Sequence, residues 1–186
     1  MTTVQSDPAS GTQDEEPVGR AVPCAVVDGR PTELPGAGRC TTTLLDWLRR
    51  EPEAGRVRAG CLTGHCGVCT VLLDGQPVVA CCTPAAAATG RRVETAREVA
   101  RSDIGRRCVD AFVAAGAFQC GYCAPGVLVV VTDWLHGVFE LGDDLGPETE
   151  QHLREALRGS ACRCTGYQQL IEAVMDVVTS EREAQA

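Results

Sequence analysis

Short apolar runs punctuated by Asp-Gly pairs fill the first half of the chain, and from about Ile104 the apolar residues recur at helical spacing instead. Ala21–Val27, the Asp28-Gly29 pair and a second segment to about Leu34 predict a hairpin, because Asp-Gly between apolar runs favours a tight turn with positive φ. Cys69–Leu73, Asp74-Gly75 and Gln76–Cys81 repeat that pattern. Between them Thr43–Arg50 carries Leu44, Leu45, Trp47 and Leu48 behind a Thr42 or Thr43 cap, which predicts a short helix. Further on, Ile104, Cys108, Phe112 and Ala115 share one helical face, and so do Val127, Val131, Trp134, Leu135 and Val138. The β-branched run Val127–Thr132 suits a strand by propensity, yet the helical spacing continues to Val138 and Pro125 fits a first helical turn, so the segment is read as helix. Pro147 and Gly159 frame a third helix bearing Leu153 and Leu157, and Leu170, Ile171, Val174, Val177 and Val178 line a fourth. The second half therefore predicts a four-helix bundle, with Cys120 and Cys123 between its first two helices and Cys162 and Cys164 between its last two.

The expected division is a disordered tail over 1–19, a first domain over 20–97, the helical domain over 98–180 and a short C-terminal tail over 181–186. Residues Met1 to about Gly19 are polar with almost no apolar content and cannot repay the entropy of ordering. Two modules of this size have marginal cores unless something staples them. A formal net charge of −8 argues against a nucleic-acid role driven by phosphate attraction, and no apolar run is long enough to span a membrane. Twelve cysteines would suit a disulfide scaffold, but Met1 to Glu16 lacks the basic start, apolar stretch and cleavage site of a secretory signal, and a twin-arginine signal is also missing. A reducing, cytoplasmic setting is expected, where clustered cysteines bind metal or do redox chemistry.

Gly60-Cys61-Leu62-Thr63-Gly64-His65-Cys66-Gly67-Val68-Cys69 has the Cys-x4-Cys-x2-Cys spacing of a plant-type [2Fe–2S] cluster, completed by a more distant cysteine at 81 or 82. Gly60, Gly64 and Gly67 permit the backbone angles such a loop needs and let peptide N–H groups approach the sulfurs. Neighbouring strand residues face opposite ways, so only one of Cys81 and Cys82 is expected to reach the metal. Two hairpins around one helix with a metal loop predict a small β-grasp ferredoxin domain, making the chain α+β overall. The second thiol set, Cys120-x2-Cys123 with Cys162-x-Cys164, taken alone reads as readily as structural zinc. Beside a cluster loop it is read as a second [2Fe–2S] site. Cys24, Cys40 and Cys108 have no metal-like spacing and are given core or incidental roles. His65 is expected to be an exposed loop residue, since a histidine-ligated Rieske centre needs two histidines.

Together, Gly60-Cys61 through Cys81, Ala117-Phe118-Gln119-Cys120-Gly121-Tyr122-Cys123 and Cys162-Arg163-Cys164-Thr165-Gly166-Tyr167 closely resemble the small iron–sulfur subunit of the molybdenum hydroxylases. This is the xanthine dehydrogenase, aldehyde oxidase and carbon monoxide dehydrogenase family, and the resemblance covers roughly Val22 to Val178. It implies a β-grasp ferredoxin domain followed by a four-helix bundle whose cluster lies near a molybdenum pterin. In its register Cys81 rather than Cys82 is the fourth ligand, leaving Cys82 as a buried small hydrophobe. It further implies that a large molybdopterin-binding partner subunit carries out hydroxylation and that this chain alone does not turn over substrate. Electrons would pass from the molybdopterin cofactor to a cluster on Cys120, Cys123, Cys162 and Cys164, then to one on Cys61, Cys66, Cys69 and Cys81, then to FAD in a medium subunit. Gln119 and Cys164 are implied to lie against the pterin. The segments Arg106-Arg107-Cys108-Val109, Ala124 and Gly159-Ser160-Ala161 depart from the usual pattern without removing a ligand. Arg163 is expected to act electrostatically beside the cluster, and Tyr122 and Tyr167 to shield it or simply pack in the bundle. The alternatives are a free-standing two-cluster electron carrier and a zinc-stabilised interaction module.

Overall fold

The computed structural model describes residues 24–35, 41–52, 54, 57–140 and 148–185. Met1–Gly19, Ala21–Pro23 of the first predicted hairpin, Cys40 and Pro147 lie outside them.

Both Asp-Gly pairs make the turns expected of them. Asp28 and Gly29 take φ of 47° and 80° and join β1 (Cys24–Val27) to β2 (Arg30–Glu33); Asp74 and Gly75, at 49° and 78°, join β3 (Thr70–Leu73) to β4 (Gln76–Val79). Positive φ at both central residues matches the strand twist, which is why the pair holds these registers. The hairpins do not pair with each other directly. A strand that the sequence pattern does not announce, β5 (Arg92–Glu94), lies between them, giving the order β2-β1-β5-β3-β4. It runs parallel to β1 and antiparallel to β3, so that Val93 pairs with Val27 on one side and Leu73 on the other and is fully buried. The turn aspartates fasten it. Asp28 accepts hydrogen bonds from the Thr95 N–H and hydroxyl, both at 2.8 Å, and Asp74 accepts from Arg91 Nε at 2.6 Å and the Arg92 N–H at 2.7 Å.

Helix α1 (Leu44–Leu48) starts where the Thr43 hydroxyl accepts from the Asp46 N–H, and packs Leu44, Leu45, Trp47 and Leu48 onto the sheet. Each such side chain contributes about 1.5–3 kcal/mol relative to exposure.

Past the one-turn helix α2 (Ala96–Val99), the chain is helical. Helices α3 (Asp103–Ala114), α4 (Ala124–Glu140), α5 (Thr149–Ala156) and α6 (Gln168–Gln185) enclose a second core of Cys108, Phe112, Val127, Val131, Leu135, Leu153, Leu170 and Val174. The β-branched run does become helix. Val127, Val129 and Val131 are buried among the neighbouring helices, and that packing outweighs a propensity cost of a few tenths of a kcal/mol per residue. A 3-10 turn over Leu157–Gly159 closes α5. Helix α6 continues through Gln185 rather than yielding a tail from residue 181, and an ion pair between Arg107 and Glu181 ties this extension to α3. No helix among the described residues is long and apolar enough to cross a membrane.

Candidate metal centres

The loop after Gly60 wraps its own sulfurs in peptide N–H groups. Leu62, Gly64 and Gly67 have φ of 60°, 81° and 67°, which curls the backbone inward. Cys61 Sγ accepts from the N–H groups of Thr63, His65 and Cys66 at 3.3–3.4 Å, and Cys66 Sγ accepts from the Cys61 N–H at 3.3 Å. Hydrogen bonds from the Thr63 hydroxyl and from these N–H groups lower the Cys61 thiol to about 5. The inner side of the site is different. Burial pushes Cys69 up to about 11, with the Cys81 sulfur beside it. A buried thiol of that kind ionises when a metal supplies the opposing charge. His65 is exposed and its Nδ1 lies 3.1 Å from the Thr63 hydroxyl, as expected of a loop residue.

The reading of Cys82 needs correction. Strand β4 stops at Val79, and Ala80 to Cys82 form a turn closed by the Cys82 N–H donating to the Val79 carbonyl at 3.0 Å. Strand alternation does not act in a turn. The two sulfurs lie on the same side, 3.8 Å apart, with Cys81 buried and Cys82 exposed rather than packed as a small hydrophobe. Cys24, expected in a core or incidental role, is exposed on β1; Cys108 is buried as expected.

The second thiol set is held by a tyrosine. Tyr167, at φ 69°, accepts from the Cys162 N–H and donates to the Ser160 carbonyl, both at 2.7 Å, which fixes the loop before the Cys-x-Cys pair. Burial raises the Cys162 thiol, but hydrogen bonds from the Thr165 hydroxyl and from the Cys164 and Thr165 N–H groups outweigh it and bring the group to about 7. Burial pushes Cys123 up to about 12. Cys120 and Cys164, both exposed, have their sulfurs 3.5 Å apart, and Cys123 is hydrogen-bonded to Cys162.

Sulfurs thus meet in pairs, Cys69 with Cys81, Cys120 with Cys164 and Cys123 with Cys162, while Cys61 and Cys66 are joined by N–H···S bonds from each backbone to the other's sulfur. Among the described residues no three His, Cys, Asp or Glu side chains converge as a single ion requires. Two sulfurs for each of two irons fits this donor arrangement.

Cys61 and Cys66 of the first set and all four thiols of the second, Cys120, Cys123, Cys162 and Cys164, line one cleft of about 190 Å³ together with Arg163. Glycine makes this approach possible. A Cβ on Gly126 would stand 2.2 Å from the Gly67 carbonyl oxygen, and one on Gly67 would stand 2.2 Å from that of Gly159. With the backbones so close, the Ala161 N–H donates to the Cys66 carbonyl at 2.9 Å, linking a residue next to Cys162 with a thiol-bearing residue of the first loop. Arg58 adds a second bridge. It donates to the Gly121 carbonyl at 2.5 Å and stacks 5.2 Å from the Tyr122 ring centroid, while the Tyr122 hydroxyl donates to the Ala59 carbonyl at 2.5 Å. Sequence reasoning missed Arg58, Ala59 and Ala161, and nothing in their local pattern flags them. Gln119 is exposed, immediately before Cys120.

Residues 95–175 match the [2Fe-2S] binding domain family. Over 153 residues the chain is 36% identical to the xanthine dehydrogenase iron-sulfur-binding subunit of Escherichia coli O157:H7, covering 81% of this chain and 89% of that one. The chain belongs to the small iron–sulfur subunits of the molybdenum hydroxylases. It is also 38% identical to the nicotine 6-hydroxylase small subunit of Paenarthrobacter nicotinovorans over 135 residues, 72% of this chain and 76% of that one. The likeness extends to solved structures. A chain of quinoline 2-oxidoreductase from Pseudomonas putida 86 matches with a TM-score of 0.71 at 30% identity, over 89% of this chain and 96% of that one.

Proposed function

We propose that this electron-transfer subunit of a molybdenum-dependent oxidoreductase holds two [2Fe–2S] clusters, one on Cys61, Cys66, Cys69 and Cys81 and the other on Cys120, Cys123, Cys162 and Cys164. The proposal divides the chain at about residue 97 into a β-grasp ferredoxin module and a four-helix-bundle module. The observation that carries it is the shared cleft: Cys61 and Cys66 of the first set line it with all four thiols of the second, and the hydrogen bond from Ala161 to Cys66 joins their loops. When bound, each cluster takes up and gives back an electron.

The chain's own residues perform three tasks around such clusters. N–H groups aimed at Cys61 and Cys66 offset negative charge on the outer thiolates. Burial of Cys69 and Cys123 keeps water from the inner side. The glycine contacts and the Arg58–Tyr122 bridge hold the two loops at fixed separation, so the bonded route between them stays short. Gln119, Cys120 and Cys164 form the exposed end of the second site, where the reading puts the molybdopterin cofactor of a large partner subunit against Gln119 and Cys164. FAD in a medium subunit is the proposed acceptor beyond the first site, and the complex is assigned to the cytoplasm.

The test is purification of the chain from its own cells through a small affinity tag. Recovery with a molybdenum-containing large subunit and a flavin-containing subunit is the expected result. Recovery of a fully loaded iron–sulfur protein without them makes it a free-standing carrier and overturns the assignment.

A further inference from the structure

Cys82 is not one of the thiols assigned to iron, yet it is held against them. Its sulfur lies 3.8 Å from Cys81 Sγ, within reach of an S–H···S hydrogen bond. On its other side it rests on the first thiol loop: a Cβ on Gly64, whose φ is +81°, would stand 3.0 Å from Cys82 Sγ. The Cys82 N–H bond to the Val79 carbonyl fixes the turn from which the side chain departs. The exposed sulfur therefore sits between the first thiol loop and Cys81.

We propose that Cys82 donates an S–H···S hydrogen bond to Cys81 and thereby raises the reduction potential of the first cluster, acting as a positioning residue and not as a ligand. The inference rests on the assignment of Cys81 to iron given above. A thiolate bound to iron has no proton to give, so the proton shared by this pair comes from Cys82. Hydrogen bonds to a thiolate ligand draw negative charge off the sulfur and favour the reduced state, which carries one more electron. The N–H bonds to Cys61 and Cys66 act on the outer pair of sulfurs, whereas Cys82 acts on the inner pair.

The experiment is a redox titration of the loaded full-length chain, followed by electron paramagnetic resonance, for wild type, Cys82→Ala and Cys82→Ser. Cys82→Ala is expected to lower the potential of the first cluster and alter its signal while leaving the second unmoved. Cys82→Ser keeps a donor and is expected to stay nearer to wild type. A first-cluster potential and line shape unchanged in a fully loaded Cys82→Ala protein overturn the proposal. Cys81→Ala separates this failure from failure of the underlying assignment. If that variant keeps the first cluster while Cys82→Ala loses it, Cys82 is the ligand and both readings fall; loss of the cluster in Cys81→Ala leaves the assignment standing whatever Cys82 does to the potential.

Discussion

Adding one methyl group at Gly126 probes whether the two thiol loops depend on their close approach. The new Cβ would stand 2.2 Å from the Gly67 carbonyl oxygen, 3.0 Å from Val68 Cα and 3.1 Å from the Gly67 carbonyl carbon. All three are backbone atoms, so no side chain can rotate away. Restoring ordinary contact means opening this junction by about 1 Å. The Ala161 N–H bond to the Cys66 carbonyl, now 2.9 Å, does not survive such a shift. Overpacking of this kind costs about 1–3 kcal/mol, and the lost hydrogen bond adds about 1 kcal/mol. Against this, Gly126 lies within α4, where alanine gains about 1 kcal/mol in helix propensity. The clash wins. Gly126→Ala should be less stable by about 1–3 kcal/mol, with Tm lowered by about 2–4 °C for each kcal/mol in a chain of this length. Thermal unfolding of the loaded subunit gives the first readout, and magnetic coupling between the two reduced clusters, which weakens with separation, gives the second. A variant with wild-type or higher Tm and undiminished coupling would refute the reasoning.

Two further outcomes follow from the same geometry and a third from the proposed pterin contact. Tyr167→Phe removes the partner of the Cys162 N–H and of the Ser160 carbonyl and should cost about 2–3 kcal/mol in chemical denaturation, with early bleaching of the second cluster; unchanged stability and bleaching would rule out the positioning role. In metal-free protein, Cys61 has its thiol lowered to about 5 and is therefore already ionised at pH 7, whereas Cys123, pushed up to about 12, remains a thiol. Mass-spectrometric mapping after brief iodoacetamide treatment at pH 7 should find Cys61 labelled well before Cys123, and the reverse order contradicts the charge pattern of the loop. Gln119→Ala should keep both clusters yet slow their reduction by substrate in the assembled complex, as read by stopped flow, because misplaced contacts cost rate without unfolding a site. Equal rates, where transfer from molybdenum is limiting, would remove Gln119 from the pterin contact.

Local chemistry was legible in the sequence and long-range geometry was not. The Asp-Gly turns and the thiol spacings are local codes: a primed turn needs positive φ at two adjacent residues, and a cluster loop needs sulfurs within a few residues of each other. Helix α4 could be recognised despite its valines because its apolar spacing persists over several turns. Strand β5 could not, since Arg92-Val93-Glu94 offers one apolar residue and its parallel partner β1 is distant in sequence. The same limit hid the shared cleft. Gly67, Gly126 and Gly159 look like ordinary loop, helix-start and helix-end glycines, and only their placement in the fold makes each a point of backbone contact. Cys82 misled for a different reason, because the alternation applied to it belongs to a strand that has already ended at Val79.

The most direct test of the central claim, two clusters on one short route through the chain, is iron and acid-labile sulfide analysis joined to electron paramagnetic resonance of the reduced protein. About four irons and about four sulfides per chain are expected, with two distinct signals from magnetically interacting centres. Stoichiometric zinc with little iron, or a single signal with about two irons, would contradict the claim.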